Sequence, residues 1–243
     1  MSDIHDAIEE HDLSRVEVLL RTDAPVIEQT NGLGNHPLHV AVCAGDKHIS
    51  NMLLRFGADV NARGDMNRTP LHYAAIGKDV ELAELLAAKG ADLTAVDDYG
   101  NTPLYYSMQG ELELSAISKI LLKRGVSPDL RSAVWMYASG ELRSFLGANT
   151  AVIETESGDG TALTDAVTKG DLDSVVALLE AGVPVDGTVS ARPLVAAIGR
   201  PEILKKLIEF GADTSLTDSL GRSAIKLART YGLNAAIDVL DGR

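Results

Sequence analysis

The same short phrases return along this chain at a nearly constant interval, and no other feature constrains its fold so strongly. FGADVNA ends at Ala62 and KGADLTA at Ala95, which sets their glycines, Gly57 and Gly90, 33 residues apart. The prolines of HPLH, TPLH and TPLY, Pro37, Pro70 and Pro103, keep the same spacing. Two independent markers therefore give one period, the signature of a chain built from stacked copies of one small unit. Later copies are weaker. EAGVPVD carries Gly182 and FGADTS carries Gly211, while GTAL, RPLV and RSAI stand where the proline phrase is expected. Gly90 and Gly125 lie 35 residues apart, which points to an insertion around Gly110 to Leu114, and Gly182 and Gly211 lie 29 apart. Loops must absorb both changes.

Each unit reads as two helices. Proline opens the first, because its fixed φ and missing N–H do no harm in a first turn. Thr69 and Thr102 precede Pro70 and Pro103 and are suited to cap the exposed amides there. A short helix with small alanines follows, as in Leu71 to Ala75, and Gly45, Gly77 and Gly170 are expected to break it. The second helix carries an apolar stripe: Ile49, Met52, Leu53 and Phe56 recur at helical spacing. Four and three residues before each closing glycine stand Leu53 and Leu54, Leu86 and Ala87, Leu121 and Leu122, Leu178 and Leu179, Leu207 and Ile208, all expected in the core. The glycine itself supplies a left-handed helix end.

A 33-residue unit with T-P-L-H opening one helix and G-A-D-V-N closing the next resembles the ankyrin repeat. TPLHYAA (Thr69 to Ala75) and GADVNA (Gly57 to Ala62) lie close to that pattern as they stand. The resemblance covers nearly the whole chain. It implies an all-α fold, a solenoid of stacked antiparallel helix pairs joined by short β-turn or hairpin connections. Residues 1–243 are expected to form a single ankyrin-repeat domain of about eight units, partial caps included. Asp23 replaces the closing glycine of the first unit. The unit at about 131–155 is irregular: it lacks a proline phrase, and Phe145 to Asn149 compresses the usual helix end.

Charge narrows the partners. With 22 Lys and Arg against 35 Asp and Glu, the net charge is -13, so the surface repels phosphate backbones and anionic membranes. A basic protein patch is the natural electrostatic complement, although acidity also serves solubility alone. One cysteine, Cys43, fits a reducing compartment, and MSDIHDAIEE has acids where a secretory signal needs a positive start. The expectation is a cytoplasmic monomer with no membrane span.

Few residues suggest chemistry. His36 and His39 share a helix face and could together hold a metal. The resemblance instead implies that His39 and His72 are structural, bonding backbone between repeats, and Tyr105 holds the same position in the next unit. Cys43 would need His39 or His48 as a base to act as a nucleophile, and a small, partly buried packing role is expected instead. Gly158-Asp159-Gly160 suits a turn better than a calcium loop. No phosphate loop, dinucleotide fingerprint, nucleophile elbow or zinc-protease pair is present. Catalytic residues, cofactors and metals are therefore not expected. The rival reading is an enzyme with a pocket at the irregular unit near Trp135, where Trp135 and Tyr137 are otherwise expected to fill the core.

The resemblance implies protein–protein interaction, as an adaptor, scaffold or inhibitor, through hairpin tips and the concave first-helix face. In this sequence the tips carry Leu33 and Asn35, then Asp65, Met66 and Arg68, then Asp98, Tyr99 and Asn101. Met66 and Tyr99 offer the largest contact area. Two substitutions follow from the register: Leu86→Ala should open a cavity, and Lys78→Ala should cost little.

Overall fold

The computed structural model describes residues 4–109, 114–137, 139–149 and 161–242. Sixteen α-helices and no strand occur among them. The chain divides into two compact units, 1–127 and 128–243.

In the first unit α1 (Ile4–Glu9), α3 (Pro37–Cys43), α5 (Pro70–Ile76) and α7 (Pro103–Met108) are the first helices of successive pairs. Their partners are α2 (Leu13–Thr22), α4 (Lys47–Phe56), α6 (Val80–Ala88) and α8 (Ala116–Lys123). First helices pack on first helices and second on second, so α3 lies against α1 and α5, and α4 against α2 and α6. The second unit repeats the scheme. Its first helices are α9 (Leu130–Met136), α11 (Thr161–Lys169), α13 (Pro193–Ala196) and α15 (Ala224–Thr230). The second are α10 (Ser139–Ala148), α12 (Leu172–Glu180), α14 (Pro201–Glu209) and α16 (Asn234–Leu240).

The helix boundaries follow from local chemistry. Thr102 Oγ1 accepts from the Tyr105 N–H at 3.2 Å as the cap of α7, and Thr69 caps α5. Second helices begin on a feature the proline phrase does not reveal. Asp12, Asp46, Asp79 and Asp171 each accept the N–H three residues on, closing the first turn of α2, α4, α6 and α12. Their ends match the expected glycines: Gly57, Gly90, Gly125, Gly182 and Gly211 all have φ between 88° and 101°. The next N–H turns back to the carbonyl of Leu53, Leu86, Leu121, Leu178 or Leu207, the 6→1 bond of a Schellman end. Those five leucines are wholly buried, so one residue both fills the core and anchors the cap. Without a glycine, Asp23 ends α2 with φ −141° and ψ 86°, and a 3-10 turn, Ala24–Glu28, follows.

Four expectations are corrected. Gly77 has φ −73°, and the left-handed residue before Asp79 is Lys78, with φ 57°. Lys78 is not a bystander: its Nζ donates to the carbonyls of Tyr106, Ser107 and Gln109 at 3.0 to 3.2 Å, covering the C-terminal end of α7. Cys43, the last residue of α3, is exposed. In the irregular unit, Gly147 does not end a compressed helix; α10 runs through it to Ala148. There Tyr137 lies against Phe145 with ring centroids 5.5 Å apart and the rings tilted by 37°, both pack on the core, and Trp135 is half-buried. Residues 110–113 and 150–160, which include most of the inserted segment and Gly158-Asp159-Gly160, lie outside the described residues.

Candidate recognition surface

Between successive pairs of residues 1–127 the chain makes a five-residue hairpin, and its sequence decides which side chain faces outward. In the first, Asn31 Oδ1 accepts the N–H groups of Leu33 and Asn35, both at 3.0 Å. In the third, Asp97 Oδ1 accepts from Tyr99 and Asn101 at 2.9 Å. A hairpin in the second unit repeats this with Asp218, Leu220 and Arg222. The opening side chain ties down the loop, the fourth residue is a left-handed glycine, and the third is left projecting. Leu33, Tyr99 and Leu220 are 66%, 57% and 70% exposed.

The second hairpin reaches the same shape by other means. Gly64 opens it, and a Cβ there would sit 2.3 Å from Asn35 Oδ1. That oxygen, reaching over from the hairpin before, accepts the Asp65 N–H at 2.9 Å. Asn67 stands in place of the fourth glycine with φ 57°, and Met66 itself has φ 54°, a left-handed conformation uncommon for such a side chain. The Asp98 N–H donates to the Met66 carbonyl at 3.0 Å and holds it so. Met66 is exposed, and it completes a column with Leu33 and Tyr99 at one-repeat intervals.

The eight positions named from sequence therefore separate. Leu33, Met66, Asp98 and Tyr99 are exposed, and Asp65 is half-exposed. Asn35 and Asn101 are buried: Asn35 Oδ1 also accepts from the Tyr73 hydroxyl at 3.3 Å, and Asn101 Nδ2 donates to Tyr106 Oη at 2.9 Å. Arg68 lies over the Tyr106 ring, donates to its oxygen at 2.8 Å and pairs with Asp97 at 3.2 Å. Burial alone would raise the Asp97 pKa, but the Tyr106 hydroxyl, the backbone amides of Asn101 and Tyr99, and Arg68 together hold it below the ordinary carboxylate value. These three residues build the base of the hairpins. The first-helix edge adds what the sequence reading missed. Cys43, Ile76 and Gln109, again one repeat apart, are exposed at the C-terminal ends of α3, α5 and α7, and the signal was the same 33-residue spacing.

Three histidines, His5, His39 and His72, are occupied by bonds to the backbone. His39 Nδ1 accepts the His36 N–H at 3.2 Å, so its Nε2 carries the proton and donates to the carbonyls of Ala62 and Arg68. His72 does the same between Thr69 and Asn101, and His5 Nε2 donates to the Asn35 carbonyl. Both ring nitrogens of His39 are spent, which leaves no lone pair to share a metal with His36. Burial lowers the His39 pKa to about 4 and that of His72 in the same direction. Among the described residues, no group of three or more His, Cys, Asp or Glu is placed to hold a metal, and no helix is long and apolar enough to cross a membrane.

Comparison with known proteins follows the same lines. A family model described as ankyrin repeats (3 copies) matches over residues 4–97 and 65–132. The crystal structure of the ankyrin repeat domain of Bcl-3, described as a unique member of the IkappaB protein family, is similar in fold, with TM-score 0.53 and 24% identity over 100% of this chain and 99% of that one. The human ASB11 ankyrin repeat domain gives TM-score 0.49 and 22% identity, again covering 100% and 99%. No curated protein matches the chain. Since the family model spans more than half of the sequence and the stacked helix pairs of the described residues agree with it, the chain belongs to the ankyrin repeat family.

Proposed function

We propose that this protein binds another protein through the hairpin tips and the exposed first-helix edge of residues 1–127, acting as an adaptor, scaffold or inhibitor. Ankyrin repeats are generally protein-interaction modules. The observation that carries the finer reading is the column Leu33, Met66 and Tyr99, three large apolar side chains held in water at the same hairpin position. The fold does not need them there. Their variety, against the constancy of the phrases beneath, suits a surface that selects a partner. Asp65 and Asp98 beside them favour a partner with basic groups around an apolar patch.

Proteins captured from a cell extract by the wild-type chain, and not by Met66→Ala/Tyr99→Ala, are candidates. With the purified partner, the double variant should lose about 1–4 kcal/mol of binding while its circular dichroism and melting midpoint stay unchanged. Unchanged affinity would reject the tips as the binding surface.

A further inference from the structure

The row of second helices has a recess of its own. Between α2 and α4 lies a cavity of about 420 Å³, a size that admits a large side chain or a small ligand. Leu13, Met52 and Phe56 form its apolar lining, and Leu13 and Phe56 remain 40% and 41% exposed. Phe56 precedes a capping glycine, a place held by Lys89 and Arg124 in the next two units, so an aromatic ring is not required there by the fold. The polar lining includes two guanidinium groups, Arg21 and Arg55, and the imidazole of His48, with one carboxylate, Glu17, which Arg21 already holds at 2.7 Å. Arg55 has no ion-pair or hydrogen-bond partner among the described residues. In a chain of net charge -13 this is a local reversal of sign beside exposed apolar surface.

We propose that this recess docks an acidic segment of a partner protein, which seats one large apolar side chain against Leu13, Met52 and Phe56 and one carboxylate on Arg55. Charge complementarity selects the occupant. The tips, with Asp65 and Asp98, favour basic partners, whereas the recess favours acidic ones, so one chain can hold two proteins without competition between them. The proposal stands apart from the tip reading.

The test titrates the isotope-labelled full chain with an end-blocked peptide of one tryptophan flanked on each side by three glutamates, followed by amide chemical shifts. Saturable shifts at α2 and α4 are expected, with the dissociation constant raised about tenfold by Arg55→Glu and as much by replacing the peptide's glutamates with lysines. Phe56→Ser, at another exposed position, should weaken binding similarly. Met66→Ala/Tyr99→Ala should leave the titration unaltered. Absence of shifts at α2 and α4, equal binding of the lysine peptide, or affinity unmoved by Arg55→Glu and Phe56→Ser overturns the proposal.

Discussion

Gly64 sits where two hairpins touch, and the lack of a side chain there is what lets Asn35 cross from one to the other. Gly64→Ala should push the Asn35 carboxamide off the Asp65 N–H and crowd His39 Nε2, which lies 3.1 Å from the new Cβ. A loss of about 1–3 kcal/mol is expected in urea unfolding. With Asn35→Ala in the background the same change should cost measurably less, because the oxygen it strikes is gone. Equal costs in both backgrounds would mean that the two residues do not act on each other. At this scale the sequence was only half legible. A hairpin position is visible from the 33-residue spacing, but which side chain turns outward depends on the loop's internal bonds. Asn35 and Asn101 read as tip residues although the fifth position of the hairpin turns inward, Asn35 to the following hairpin and Asn101 to Tyr106 of its own α7, whereas Leu33, Met66 and Tyr99 at the third position project into solvent.

The helix pair is the scale at which capping and burial can be separated by mutation. Leu86 is fully buried and its carbonyl receives the Ala91 N–H, so Leu86→Ala should cost about 2–5 kcal/mol through the cavity it opens, leaving the backbone bond intact. Lys78→Ala should cost about 1–2 kcal/mol, since three carbonyls at the end of α7 lose their donor while alanine keeps the left-handed strain. A melting midpoint unchanged by the lysine substitution would show that water replaces the ammonium at no cost. First helices were legible from Thr-Pro and second-helix ends from glycine, because both residues act through the backbone at their own position. Lys78 was not, since Gly77 beside it is the better left-handed residue by type. The caps Asp12, Asp46, Asp79 and Asp171 carry a readable spacing of their own that the proline and glycine phrases overshadow.

Across the whole molecule, pH should reveal the buried histidines before the carboxylates respond. His39 is neutral when folded down to about pH 4, whereas an exposed histidine in the unfolded chain takes a proton near pH 6.5. Between those values the unfolded chain binds more protons, so stability is unaffected above the window and falls as pH drops through it, by up to about 3 kcal/mol. Asp46, Asp92 and Asp97, whose pKa values are lowered on folding, add their loss only below about pH 4. Urea midpoints measured from pH 7.5 to 4.5 should therefore decline, and His39→Gln should flatten that decline; a wild-type chain equally stable at both ends would contradict a neutral buried ring. The same bonds have a further meaning. His5, His39 and His72 reach 30, 29 and 29 residues ahead, each to the hairpin of the following pair, so residues 1–127 are threaded in one direction. A copied repeat spliced into that thread would bring its own donor and offer its own carbonyl to the copy behind it. Descent by duplication can thus lengthen such a chain without leaving a bond of this kind unmade, which frees the number of repeats to drift while the repeat itself stays fixed.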